Sequence, residues 1–145
     1  MSTRVVIDTN VLVLGLLGLY SFPARIIDLV YSGKFECVHD DRILMEYREV
    51  LSRPKFAQAL SRSERDDLID YLERFGHHVL AGPLGPLADA APDPFDLPFA
   101  EAAVAGTARY IITGNIAHFA FFSANAWDIR ILSPKDCYNL VCSGA

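Results

Sequence analysis

Apolar and polar positions change period repeatedly along this chain, and each change marks an element. Val5, Val6 and Ile7 form a β-branched run that stops at Asp8, which predicts a short buried strand over residues 4–7. The apolar stretch from Val11 reads as a helix, capped by Thr9 or Asn10, whose side chains accept a hydrogen bond from a free backbone N–H. Gly15 and Gly18 loosen that stretch. Pro23 fits the first turn of a second helix, with Ile26, Ile27, Leu29 and Val30 as its apolar face and Gly33 closing it. Residues 35–38 predict a second strand. Behind Asp40 or Asp41, Ile43, Leu44, Tyr47, Val50 and Leu51 recur at helical spacing, and Pro54 ends that helix. Ser61 or Ser63 caps the next, in which Leu68, Tyr71, Leu72 and Phe75 point inward and Gly76 marks the end.

Residues 78–80 predict an edge strand and 81–92 a Gly/Pro/Ala loop within the domain. Residues 95–104 predict a helix, 110–113 and 129–132 two strands, and 134–140 a closing helix. Strands that alternate with helices imply an α/β fold, a parallel sheet covered on both faces. At 145 residues the chain, 1–145, is expected to be a single domain with a core of its own.

Composition narrows the class. A hydrophobic content of 52% and a positive mean hydropathy exclude a disordered chain. A net charge of −5 argues against an indiscriminate polyanion binder, yet leaves room for a nucleic-acid enzyme with a local basic surface. Cys37, Cys137 and Cys142 are an odd set without C-x-x-C spacing, and are expected to be reduced thiols used in packing. The apolar stretch 11–22 is too short to span a bilayer and no basic-then-apolar leader precedes it. A cytoplasmic protein with no membrane partner is therefore expected.

The candidate chemistry sits where apolar runs stop. Asp8 in VVIDTN and Asn115 in YIITGN follow strands, and the carboxyl ends of strands are where open α/β sheets hold ligands. Glu46 rides on the third helix, with Glu49 sharing part of its face, so spacing alone cannot choose between them. Asp93 and Asp96 precede a helix, Asp96 as a plausible N-cap, with Glu101 one turn inside. Gathered at one sheet edge, these groups would make an oxygen-rich anionic pocket suited to Mg2+ or Mn2+. Thr9, Asn10 and Thr113 would orient water or phosphate there. His118 is open to reading as a proton shuttle, a phosphate contact or a packing residue, the last two being preferred. Arg48, Arg53 and Lys55 are ion-pair partners or contacts to a nucleic-acid backbone. His77 and His78 are adjacent on a strand end, point to opposite faces and do not share a metal. No Walker or G-x-G-x-x-G pattern is present.

Taken in order, VVIDTNVLV, ILMEYREVLSRPKF, DPFDLPFAEAAVAGTARYIITGN and IRILSPKDC resemble a PIN domain. The resemblance is to the bacterial PIN family of toxin components of toxin–antitoxin modules, related to VapC toxins, and it covers nearly the whole chain. It implies a three-layer α/β/α sandwich around a parallel sheet of four to five strands. It also implies an Mg2+- or Mn2+-dependent endoribonuclease whose partners are RNA, a small antitoxin protein and a second copy of the chain. Asp8 matches the family's first acid and Glu46 its second. Where relatives often read D-D-D-K-F, this chain has Phe95-Asp96-Leu97-Pro98-Phe99, which leaves Asp96 one residue from the usual third acid. Where relatives often read T-G-D, Asn115 stands. The expected catalytic set is Asp8, Glu46 and Asp96, with Asn115 as a neutral fourth metal ligand, and fewer anions should mean weaker metal binding.

Two rivals come from other classes. The losses at Leu97 and Asn115 suggest a PIN fold that binds RNA or protein without cleaving. A phosphoacceptor with Asp8 as nucleophile would also place an acid at a first strand end. Asn10, however, occupies the place of its second acid, and no convincing lysine lies near a later strand.

Overall fold

The computed structural model describes residues 2–18, 20–122 and 127–143. Strands β1 (Thr3–Ile7), β2 (Phe35–His39), β3 (His77–His78), β4 (Tyr110–Ile112) and β5 (Arg130–Leu132) form one sheet in the order β3-β2-β1-β4-β5. Every pairing is parallel, with Val5 opposite Cys37 on one side and Tyr110 on the other. Helices α1 (Thr9–Leu17), α2 (Phe22–Tyr31), α3 (Asp41–Leu51), α4 (Arg62–Phe75), α5 (Leu97–Ala105) and α6 (Pro134–Cys142) flank it. The α/β/α expectation holds, at the upper end of the strand count.

A strand covered on both faces has no polar side, and Val5, Val6 and Ile7 are accordingly all fully buried. From β1 the chain steps outward to β2 and β3, then crosses back to β4 on the other flank of β1. That reversal makes the carboxyl ends of β1 and β4 the switch point of the sheet, where ligand sites form. Asp8 and Thr113 are the next residues after these two strands.

The helices pack in two groups. α1 lies on α2 and α2 on α6, while α3 packs on α4 and α5, and α5 runs across β1, β2 and β4. Gly15, which the pattern reads as loosening the chain, is helical. A Cβ there would fall 2.5 Å from Ile27 Cγ1 and 2.8 Å from the Pro23 carbonyl, so its missing side chain is what lets α1 touch α2. Ile26, Leu29 and Val30 are all buried in the core, as that apolar face implies.

Several boundaries move for local reasons. α1 begins at Thr9, so Asp8 and not Thr9 or Asn10 takes the N-cap position, without a capping bond from its side chain. The expected helix over 95–104 splits into a 3-10 turn, Pro94–Asp96, and then α5, whose first turn accommodates Pro98. Within the 81–92 loop, Gly85–Ala90 winds into a 3-10 turn. The edge strand is His77–His78. Ser61 and Glu64 form a full capping box on α4, and Asp40 caps α3. Cys37, Cys137 and Cys142 are all free thiols; the first two are packed and Cys142 is exposed. Among the described residues no single helix is long and apolar enough to cross a membrane.

Candidate functional site

Asp8 is pinned from both flanks of the switch point. Its backbone N–H donates to the Ile112 carbonyl at 2.9 Å, and Thr113 Oγ1 donates to its Oδ2 at 2.7 Å. Thr113 is fully buried, and its oxygen also accepts from the Asn115 N–H at 2.9 Å. One hydroxyl therefore ties the end of β4 to the first acid. Burial pushes the Asp8 carboxyl above its ordinary pKa. The Thr113 bond, the Thr9 amide and His118 oppose that rise, and Asp93 adds to it.

Glu46 reaches the same region from α3. Thr9 Oγ1 donates to Glu46 Oε2, and Tyr47, next on the helix and fully buried, donates its hydroxyl to the Ile7 carbonyl. Two consecutive residues of α3 thus grip the end of β1. Burial raises the Glu46 pKa, the Thr9 bond opposes the rise, and the negative charges of Asp8 and Glu49 reinforce it. Asp96 is the third acid. It is raised by burial, then by Asp8 and Asp93, with His118 acting in the other direction. Asp8 thus repels both Glu46 and Asp96, which places these three sequence-distant acids in one electrostatic neighbourhood.

The remaining candidates divide. His118 Nδ1 lies 3.2 Å from Asp96 Oδ2, and Asp93 Oδ1 accepts from the Phe95 N–H, shaping the turn between the two aspartates. The helical and strand periods carry no signal for the His118–Asp96 contact, since Asn115 and His118 share only a three-residue spacing in a non-helical run. Asn115 is exposed and starts the 3-10 turn Ile116–Phe119 without a side-chain cap. Asn10 is exposed on α1. Glu101 is buried but committed elsewhere: Arg42 Nη1 holds it at 2.7 Å while the same guanidinium holds Asp40 at 2.6 Å. Arg48 is paired with Glu73 across α3 and α4. Lys55 lies over the Phe56 ring at 5.0 Å, and Arg53 lowers the Glu46 pKa by its charge. Of the three basic candidates, Arg53 is the one that acts on an acid of the cluster. His78 Nε2 donates to Asp41 Oδ1 at 2.9 Å. A cavity of about 630 Å³ between α3 and α4 is lined by His39, Asp41, Leu44, Met45, Arg48, Glu73 and His78, and by none of the clustered acids.

Burial, reinforced by neighbouring charges, gives the three acids a signature. Asp8, Glu46 and Asp96 bind protons more readily in the folded chain than in the unfolded one. Their contribution to stability is therefore full below the ordinary carboxylate range and is lost as pH rises through the raised folded values. The ion-free protein is expected to gain in unfolding temperature as pH falls from neutral toward the ordinary carboxylate range. Saturating Mg2+ or Mn2+ should cancel that gain by stabilising the ionised form. Thermal unfolding against pH, with and without the ion, reads both effects, and a steady fall in the ion-free midpoint over that range would contradict the raised pKa values of these acids.

Such a set of oxygens, anionic in excess and each oriented by a donor, fits a hard divalent cation. A family model described as the PIN domain matches residues 4–117 of the chain. No curated protein matches it.

Proposed function

The chain belongs to the PIN-domain family, a family of metal-dependent nucleases, and we propose that it is an endoribonuclease that hydrolyses RNA phosphodiester bonds with Mg2+ or Mn2+. The observation that carries this reading is that Glu46, on α3, and Asp96, in the turn before α5, both lie within reach of the charge of Asp8 at the end of β1. Those three carboxylates would hold the ion, with Asn115 offering a neutral carbonyl oxygen. When bound, the ion polarises a phosphate oxygen and acidifies a water for in-line attack.

The chain's own residues do the rest. Thr113 and Thr9 donate to Asp8 and Glu46, fixing the orientation of each carboxylate before an ion arrives. Burial of Asp8 and Asp96, each less than a tenth exposed, lowers the local dielectric and strengthens their pull on a cation. Arg53, exposed and lowering the Glu46 pKa by its charge, would meet a backbone phosphate and offset the acidic pocket. The preference for RNA, the toxin role and a dimer follow the family resemblance. A small antitoxin protein and a second copy of the chain are the partners to seek.

A non-cleaving, RNA-binding or protein-binding PIN fold is the second reading, favoured by one observation. Asn115 adds no charge, and Leu97 puts a half-buried apolar side chain near the usual third-acid position. Incubating the full chain with a mixed RNA pool separates the two. Fragments that appear with Mn2+ or Mg2+ and vanish with chelator are expected. RNA retained without cleavage at saturating ion would establish the second reading instead.

A further inference from the structure

The turn after β4 carries His118 into the acid cluster. Ile116–Phe119 is a single 3-10 turn, and the His118 N–H donates to the Asn115 carbonyl at 3.0 Å. The ring then faces Asp96, with Nδ1 3.2 Å from Oδ2. Asp93, Asp96 and His118 each present one ligand-capable atom, and these atoms all lie within 4.8 Å of one another. In a six-coordinate shell with bonds of about 2.1 Å, neighbouring ligands are about 3.0 Å apart and opposite ligands about 4.2 Å. The 3.2 Å contact therefore matches one edge of such a shell, and the Asp93 atom lies within 4.8 Å of both of the others.

We propose that His118 supplies a nitrogen ligand, through Nδ1, to the divalent ion held at Asp96 and Asp93, and that the centre consequently favours Mn2+ or a later first-row ion over Mg2+. The proposal rests on the metal-dependent nuclease reading above and deepens it. Carboxylates alone suit Mg2+, whereas imidazole suits transition metals, which it binds in the Irving–Williams order. Asn115 brings a neutral amide to the same turn, so His118 is the stronger donor that the turn can offer. A hydrogen bond to Asp96 alone would leave Asp8, Glu46, Asp93 and Asp96 outnumbering one imidazole. The His118 side chain is 42% exposed, which leaves it reachable from solvent and makes its truncation mild for the core.

Pulsed electron paramagnetic resonance of Mn2+ bound to the full chain tests this without reference to cleavage. A nitrogen coupling typical of a directly bound imidazole is expected, and it should change when the histidines carry 15N. In His118→Ala the coupling should vanish, with Mn2+ affinity down about ten- to a hundredfold and Mg2+ affinity changed by no more than about threefold. Bound Mn2+ with no nitrogen coupling, or with equal affinity in His118→Ala, overturns the ligand assignment and leaves the nuclease reading standing. If Asp8→Asn binds Mn2+ as the wild type does while His118→Ala does not, His118 is confirmed as a ligand and the Asp8-centred nuclease site fails. A chain that binds no Mn2+ at all overturns both.

Discussion

Asp8→Asn is expected to abolish metal-dependent cleavage, by roughly a thousandfold, and to raise the stability of the ion-free protein. On the proposed reading Asp8 would hold the ion, and removing its carboxylate would forfeit several kcal/mol of charge stabilisation in the transition state. The rise in stability has a separate origin. Asp8 is buried, repels Glu46 and Asp96, and has its pKa raised chiefly by desolvation. A neutral amide of the same shape removes the desolvation of a charge and both repulsions, and its oxygen still accepts from Thr113. The Thr9 amide loses its acceptor in exchange, so the net gain is expected to be modest, about 1 kcal/mol or roughly 2–4 °C. Cleavage assays at saturating Mn2+ and thermal unfolding in chelator read the two halves. A variant that loses both activity and ion-free stability would make Asp8 a structural residue, its bonds to Thr113 and Thr9 outweighing its charge.

The largest stability effect is expected at Phe99. This side chain is 2% exposed on α5 and meets Tyr47 of α3 at a ring separation of 6.4 Å. Truncating a buried phenylalanine costs about 3–5 kcal/mol, the lost transfer energy plus the cavity left behind. For a chain of this length that corresponds to a fall of roughly 10–15 °C in unfolding midpoint. The consequence should reach the site, because Asp96 immediately precedes α5 and Glu46 immediately precedes Tyr47. Phe99→Ala is therefore expected to weaken ion binding even below its melting range, whereas Phe99→Leu, which keeps most of the volume, should retain it. Unfolding curves and Mn2+ titrations of the two variants decide this. Equal ion affinity in both would mean that the site is held by Thr9, Thr113 and Tyr47 alone.

Much of the architecture was legible because its causes are local. A β-branched run such as Val5–Ile7 excludes a polar face, Ser61 with Glu64 satisfies orphan amides within one turn, and Pro23 belongs in a first turn wherever the chain goes. Alternation of such elements was enough for a parallel α/β sheet. Boundaries failed where a local rule had a competitor. Asp96 satisfies the sequence rule for a helix cap, yet it sits in αR backbone, and its carboxylate faces His118 instead of α5 amides.

The places of Asp8 at a strand end, Glu46 on a helix and Asp96 at a helix start were also visible in the sequence. What each carboxylate does there was not. A carboxylate's state depends on the donors and charges around it, and these arrive from far along the chain. Thr113 is 105 residues from Asp8, Thr9 is 37 from Glu46, Arg42 is 59 from Glu101 and His118 is 22 from Asp96. Glu101 looks like a further acid of the pocket until Arg42 neutralises it, and His118 looks like packing until the turn after β4 delivers it to Asp96. Residue type and period fix what a side chain can offer, since both are properties of the chain within one or two turns. Strand order and register decide which offers meet, since only the folded sheet brings the ends of β1 and β4 side by side.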